Sequence, residues 1–135
     1  MSKLDKNSVS YLNSMEEARQ LHTVDVNRKE LTLVGAITAP DADMAPEVRT
    51  TGNSICFLTG KLDVGVAPVL DMDLATLPLG YGTHNILHLS VSVEAAGGTF
   101  TRGTIKISDK DITFDGTPTA SDIIHLDGAV YLSQV

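Results

Sequence analysis

From Gly52 onward the chain changes side-chain character at every second residue. Cys56, Leu58, Gly60, Leu62, Val64 and Val66 hold one parity, while Thr59, Lys61 and Asp63 hold the other. A helix groups residues three and four apart on one face, whereas a strand turns successive side chains to opposite faces. A period of two therefore calls for strands with one buried and one wet face. Leu70, Met72, Leu74 and Thr76 alternate in the same way with Asp71, Asp73 and Ala75. Ala67-Pro68 supplies a turn between the two runs, which are expected to form an antiparallel pair. Leu87, Leu89, Val91 and Val93 then alternate with His88, Ser90, Ser92 and Glu94 up to Ala96-Gly97-Gly98. Those glycines offer the positive φ values of a tight hairpin, with Phe100 to Ile107 as the return strand. Asp109-Lys110-Asp111 turns into Ile112-Thr113-Phe114, Asp115-Gly116-Thr117-Pro118 forms a longer loop, and a last strand runs from Ile123 to Leu132. Short strands punctuated by Gly, Pro and Asp predict an all-β, antiparallel sandwich or jelly-roll-like knob over residues 52–135.

The sequence before Gly52 has a different character. Leu4, Tyr11, Met15 and Ala18 recur at roughly heptad intervals, with Asn7 and Ser8 as reasonable N-caps, so a short amphipathic helix between Leu4 and about His22 is expected within an N-terminal helical arm of residues 1–30. A helix of this length is marginal in water and needs a partner surface; a frayed terminus is the plainer alternative. Residues 31–51 read as one strand, Leu31 to Ile37, followed by a linker from Ala39 to Pro46 that holds two prolines and no periodicity.

At 135 residues, one domain and an arm fill the chain. Aromatic residues are 4% with no Trp, so the core must be aliphatic. A net charge of −7 and scattered basic residues argue against nucleic acid, whose binding rests on Lys and Arg. No apolar run of about 18 residues is present, so no membrane insertion is expected, and no signal-peptide pattern appears. Cys56 is the single cysteine and reads as strand packing.

Catalytic patterns are missing as well: there is no Gly-x-Ser-x-Gly elbow, no phosphate loop and no His-Glu-x-x-His pair. Asp71 and Asp73 could serve glycoside hydrolysis, but on a wet strand face they read as solubility charges. Calcium could be held by Asp41 with Asp43, or by Asp115 with Asp122, although no Asp-x-Asp-x-Asp-Gly loop supports it. His84 and His88 lie about 13 Å apart on a strand, too far for one metal. Copies of His88 or His125 meeting on a threefold axis are the remaining metal geometry. The reading is no catalytic residue, no cofactor and no metal.

Taken in order, Gly52-Asn53, Ala75-Thr76-Leu77-Pro78-Leu79-Gly80-Tyr81, Gly103-Thr104-Ile105-Lys106-Ile107 and Ile124-His125-Leu126-Asp127-Gly128-Ala129-Val130-Tyr131 resemble the C-terminal β knob domains of bacteriophage tail, baseplate and head-fibre appendage proteins. In that family Leu-Pro-x-Gly-Tyr is typically followed by Arg-Pro, where this chain has Gly82-Thr83-His84. The resemblance implies a non-enzymatic homotrimer, a knob on an N-terminal stalk, displayed on the virion after assembly in the host cytoplasm. A physical argument also favours association, because a knob domain of roughly 84 residues buries only about 60% of its unfolded surface and its strand edges need cover.

Two placements follow from the resemblance. In one, the knob is a tail or baseplate adhesin whose loops touch host-surface saccharide through Tyr81, Thr83, His84, Asn85, Thr117 and Thr119. In the other it is a capsid head fibre or decoration protein docked through Leu4, Tyr11, Met15 and Ala18, to which a chain complete at 135 residues would be suited by its shortness.

Overall fold

The strongest alternation in the sequence becomes the longest ladder in the molecule. In the computed structural model, which describes residues 27–41, 44–51 and 54–133, two long strands meet across the Ala95–Thr99 turn. They are β7 (Thr83–Glu94) and β8 (Phe100–Asp109), in register from Leu87↔Ile107 to Glu94↔Phe100. Before them come β1 (Asn27–Glu30), β2 (Thr32–Leu33), β3 (Glu47–Thr50), β4 (Ile55–Thr59), β5 (Lys61–Asp63) and β6 (Asp73–Thr76). After them come β9 (Asp111–Phe114), β10 (Ile123–His125) and β11 (Ala129–Leu132). The described residues contain no helix.

These strands form two antiparallel sheets, one ordered β1-β3-β4-β11 and one ordered β2-β6-β9-β8-β7-β10-β5. Their inner faces share one aliphatic core. Val48, Cys56 and Leu58 enter from the smaller sheet, and Leu62, Leu74, Ile105, Ile107, Ile112 and Ile124 from the larger. The β-sandwich expectation therefore holds, with four strands facing seven and a β7-β8-β9 meander in place of an eight-stranded roll.

The sheets are joined at a corner that the alternation conceals. The run from Cys56 to Val66 is not one strand: β4 lies in the small sheet and β5 in the large one, with Gly60 between them at φ +103. A side chain at Gly60 would place its Cβ 2.7 Å from Pro46 Cα, so the bend requires glycine. The last predicted strand is likewise two, β10 and β11, broken at Leu126-Asp127-Gly128. The two breaks hold each other: the Leu126 N–H donates to the Gly60 carbonyl at 2.9 Å, and the Gly60 N–H donates to Asp127 Oδ1 at 3.0 Å. A paired ribbon thus passes from one sheet to the other, as corners in sandwiches do where strands switch sheets.

Three further expectations are corrected. The run at Leu70 does not pair with the run before it; β6 pairs with β2 and β9, whereas β5 pairs with β10. Leu70 lies outside β6 and is exposed, because it sits in a turn whose next residue, Asp71, has φ +50. Asn27–Glu30, read as the end of the helical arm, is strand β1, and residues 31–51 supply β2 to one sheet and β3 to the other. The anchor residues Leu4, Tyr11, Met15 and Ala18 lie outside the described residues.

Candidate functional site

Strand β7 gives the knob its two ends. Its 12 residues span about 36 Å. The first residues lie beside the start of the sandwich. Tyr131 on β11 donates its hydroxyl to the Tyr81 carbonyl at 2.6 Å, and Ser133 Oγ donates to the Gly80 carbonyl at 3.0 Å. Asn27, Thr50, Cys56 and Tyr131 occupy one row across the small sheet, so the first described residue, Asn27, is at this same end, called the arm end below. The last residue of β7, Glu94, is at the opposite end with Ile123, Asp63 and the Ala95–Thr99 turn.

This polarity separates the two loops singled out in the sequence. The Gly80 to Asn85 segment lies at the arm end, and much of it is interior. Tyr81 is 8% and Thr83 2% exposed, which contradicts their assignment as side chains offered to a ligand. Thr83 starts β7, and its hydroxyl donates to the Asn85 carbonyl at 2.8 Å, with the Ile107 carbonyl at 3.4 Å. Gly82 is closed in too, since a Cβ there would lie against the Asp109 carbonyl oxygen. His84 and Asn85 are exposed.

The loop after β9 runs toward the far end. Thr117 and Thr119 are exposed on it, and the Thr119 N–H donates to Asp122 Oδ2 at 2.8 Å. The loop is pinned to the β5–β6 connection, because the Ser121 N–H donates to the Gly65 carbonyl and the Val64 N–H to the Asp122 carbonyl.

At that far end the outer face of the large sheet presents a group that the sequence did not announce. Phe100 is directly opposite Glu94 and 59% exposed. His125 comes alongside from β10, its ring centroid 5.4 Å from that of Phe100 and its plane inclined by 50°. Glu94 Oε1 is 2.9 Å from His125 Nε2, which fixes the imidazole against the phenyl ring. An accessible ring bordered by a carboxylate and an imidazole offers an apolar plate and hydrogen-bonding groups side by side, the arrangement that takes the face and hydroxyls of a sugar. Phe100 was legible only as the first residue of a return strand. The readable signal was an aromatic at an outward position in a chain with three Phe.

The other chemical candidates disperse. Asp71 accepts the Gly116 N–H at 2.9 Å and pairs with Lys106 at 3.7 Å, while Asp115 faces His88 at 3.7 Å. Asp115 and Asp122 therefore have different partners, and Asp43 is outside the described residues. Among the described residues no group of three His, Cys, Asp or Glu could hold a metal ion. Cys56 is buried opposite Tyr131, where burial pushes its thiol pKa up, the setting of a packed and unreactive cysteine. Outside the corner, a groove of about 320 Å³ is lined by Arg28, Glu47, Arg49, Thr59 and Asp127 among others. Arg49 Nε and Glu47 Oε2 face each other there at 3.6 Å, so the lining carries both signs of charge.

No protein-family model and no curated protein match this chain. A solved structure does: the crystal structure of the receptor binding protein of Listeria phage PSA aligns with a TM-score of 0.68, covering 100% of this chain and 82% of that one, at 17% sequence identity. At that identity the likeness is one of fold. The chain has the β-rich fold of a phage receptor binding protein.

Proposed function

We propose that this chain is the non-enzymatic receptor-binding knob of a bacteriophage tail or baseplate appendage, a homotrimer attached to other virion proteins through residues 1–26. The fold shared over the whole chain with a phage receptor binding protein carries this reading. The polarity of the knob supports it, because the end at which the arm enters is opposite the end that carries Phe100, Glu94 and His125. Host-surface saccharide is the ligand class that an exposed ring beside polar groups fits, with the Thr117 and Thr119 hydroxyls on the neighbouring loop as further contacts.

Fluorescently labelled protein, incubated with host cells and with their isolated wall saccharide, tests the reading. Saturable binding that free saccharide competes away is the expected result. Absence of binding at micromolar concentration, together with antibody labelling of the capsid rather than the tail in electron micrographs, would overturn it in favour of a head-fibre role.

A further inference from the structure

The outer side of the corner at Gly60 is concave. The groove of about 320 Å³ that Arg28, Glu47, Arg49 and Thr59 line there is continued by a second, of about 180 Å³, lined by Asp41 and Lys61, and the two share Met44, Gly60 and Asp127 as walls. A volume above about 300 Å³ is the size at which clefts hold small ligands. The alternation explains why the groove faces outward. Leu58 and Leu62 are fully buried on the two sides of the bend, so Thr59 and Lys61, of the opposite parity, turn to the outer surface of their sheets.

The second groove leads to the far-end plate. Lys61 is directly opposite His125, the residue whose ring leans on Phe100. Phe100 on β8 and Lys61 on β5 are three strand spacings apart, about 14 Å, and Thr59 on β4 and Arg28 on β1 are two apart, about 10 Å. The plate, Lys61 and the two grooves therefore follow one another from the outer face of the large sheet, round the corner, to the outer face of the small one.

The lining suits a hydroxyl-rich ligand. Arg28, Arg49 and Lys61 only donate hydrogen bonds, ionised Glu47 and Asp127 only accept them, and a sugar hydroxyl does both. Arg49 Nε and Glu47 Oε2 are closed to solvent, 3.6 Å apart and without a hydrogen-bond partner. Buried polar atoms are ordinarily satisfied. A ligand hydroxyl satisfies both, donating to the carboxylate and accepting from the guanidinium, once the Arg49 side chain, 37% exposed, swings aside. The exposed Met44 supplies an apolar wall for a ring face. Arg28, Arg49 and Lys61 are balanced by Asp41, Glu47 and Asp127, so the lining does not select a polyanion.

We propose that a single host saccharide chain is bound along this whole path, with Phe100 under one end and the Arg28 and Arg49 groove as a second subsite under the other. The receptor is then recognised as a run of several sugar residues and not as one terminal sugar. The inference rests on the saccharide-adhesin reading above and deepens it. One sugar ring cannot reach from Phe100 to Arg28, whereas an oligosaccharide follows the bend and meets a polar subsite on each side of it.

Calorimetric titration of the full-length protein with size-fractionated fragments of isolated host wall saccharide tests the proposal. Wild-type affinity, counted per repeating unit, is expected to rise by about tenfold or more from the single unit to fragments of several units, because the second subsite adds hydrogen bonds to charged groups. Arg28→Ala/Arg49→Ala is expected to remove that rise and to leave the shortest fragment bound as in the wild type. Lys110→Ala, which deletes an exposed cation at the turn after β8, is expected to change neither. Far-ultraviolet circular dichroism checks the fold, and should the double variant fail to fold, Lys61→Ala reports in its place with the same selective loss for long fragments. A wild type that binds short and long fragments equally, or variants that bind long fragments as the wild type does, overturns the extended site and leaves the adhesin reading standing. A wild type that binds no fragment of any length overturns both.

Discussion

The two ends of β7 use polar and aromatic side chains in opposite ways. At the arm end Tyr81, Thr83 and Tyr131 are interior; the Tyr131 hydroxyl donates to the Tyr81 carbonyl at 2.6 Å and the Thr83 hydroxyl to the Asn85 carbonyl at 2.8 Å. At the far end Phe100, Glu94 and His125 stand on the outer face and hold one another without being enclosed. Both ends obey the same alternation. The difference teaches that Leu77, Tyr81 and Thr83 of the most motif-like stretch are architecture, while the proposed contact chemistry lies on strands whose sequence is unremarkable. Substitutions at the arm end should therefore cost stability, and substitutions at the far end should cost binding.

The largest effect is expected at Gly82. Gly82→Val would drive a branched side chain into the Asp109 carbonyl and is expected to destabilise the fold by about 3 kcal/mol or more, read from urea unfolding. A near-neutral result would dissolve the claim that this segment is closed architecture.

Tyr131→Phe is expected to cost about 1–2 kcal/mol at neutral pH, because it leaves the buried Tyr81 carbonyl without its donor. The same variant has a signature in alkali. Burial, followed by the neighbouring Cys56, raises the Tyr131 pKa above its ordinary value of 10.0. The unfolded chain then loses that proton first, so the contribution is complete below about pH 10 and is lost as pH rises beyond it. Wild-type stability should fall there by up to about 1.4 kcal/mol per pH unit from this group, and the Phe variant should lack that share of the slope.

Phe100→Ala reverses the pattern. Host-cell binding should weaken by about tenfold, equivalent to about 1.4 kcal/mol, while the unfolding midpoint shifts by less than about 0.5 kcal/mol. A variant that binds normally would move the site away from the far-end strand face. The smallest effect belongs to Thr117→Ala/Thr119→Ala, where a loss of about twofold to fivefold in affinity and no measurable change in stability are expected, since Thr119 contributes its backbone N–H rather than its hydroxyl to the loop.

Some of what the structure adds was written in the sequence in a form that alternation alone could not decode. The corner at Gly60 was hidden because both sheets turn their inner faces to one core. Cys56 and Leu58 in the first sheet, Leu62 in the second and Val64 just beyond it therefore keep the same parity through the bend. The break between β10 and β11 did leave a trace: the buried residues run Ile124, Leu126, then Ala129, Tyr131, a shift of phase that a single strand cannot make. Tyr81 misled for a different reason. A turn motif of Leu, Pro, Gly and Tyr reads as an exposed loop, and only the arrival of β11 shows that the Tyr81 carbonyl is claimed from within.

By itself the sequence determined the class of structure: antiparallel strands around an aliphatic core, with the turn of the β7–β8 hairpin placed between Glu94 and Phe100 but the outer ends of both strands drawn short, because a period of two and glycine turns are local properties. Tertiary structure alone decided which strands are neighbours, which end receives the arm, and which outward residues gather into a site. Those are relations between segments far apart in the chain: Glu94 meets His125 and Tyr81 meets Tyr131 only once the corner at Gly60 and Asp127 has folded one sheet over the other.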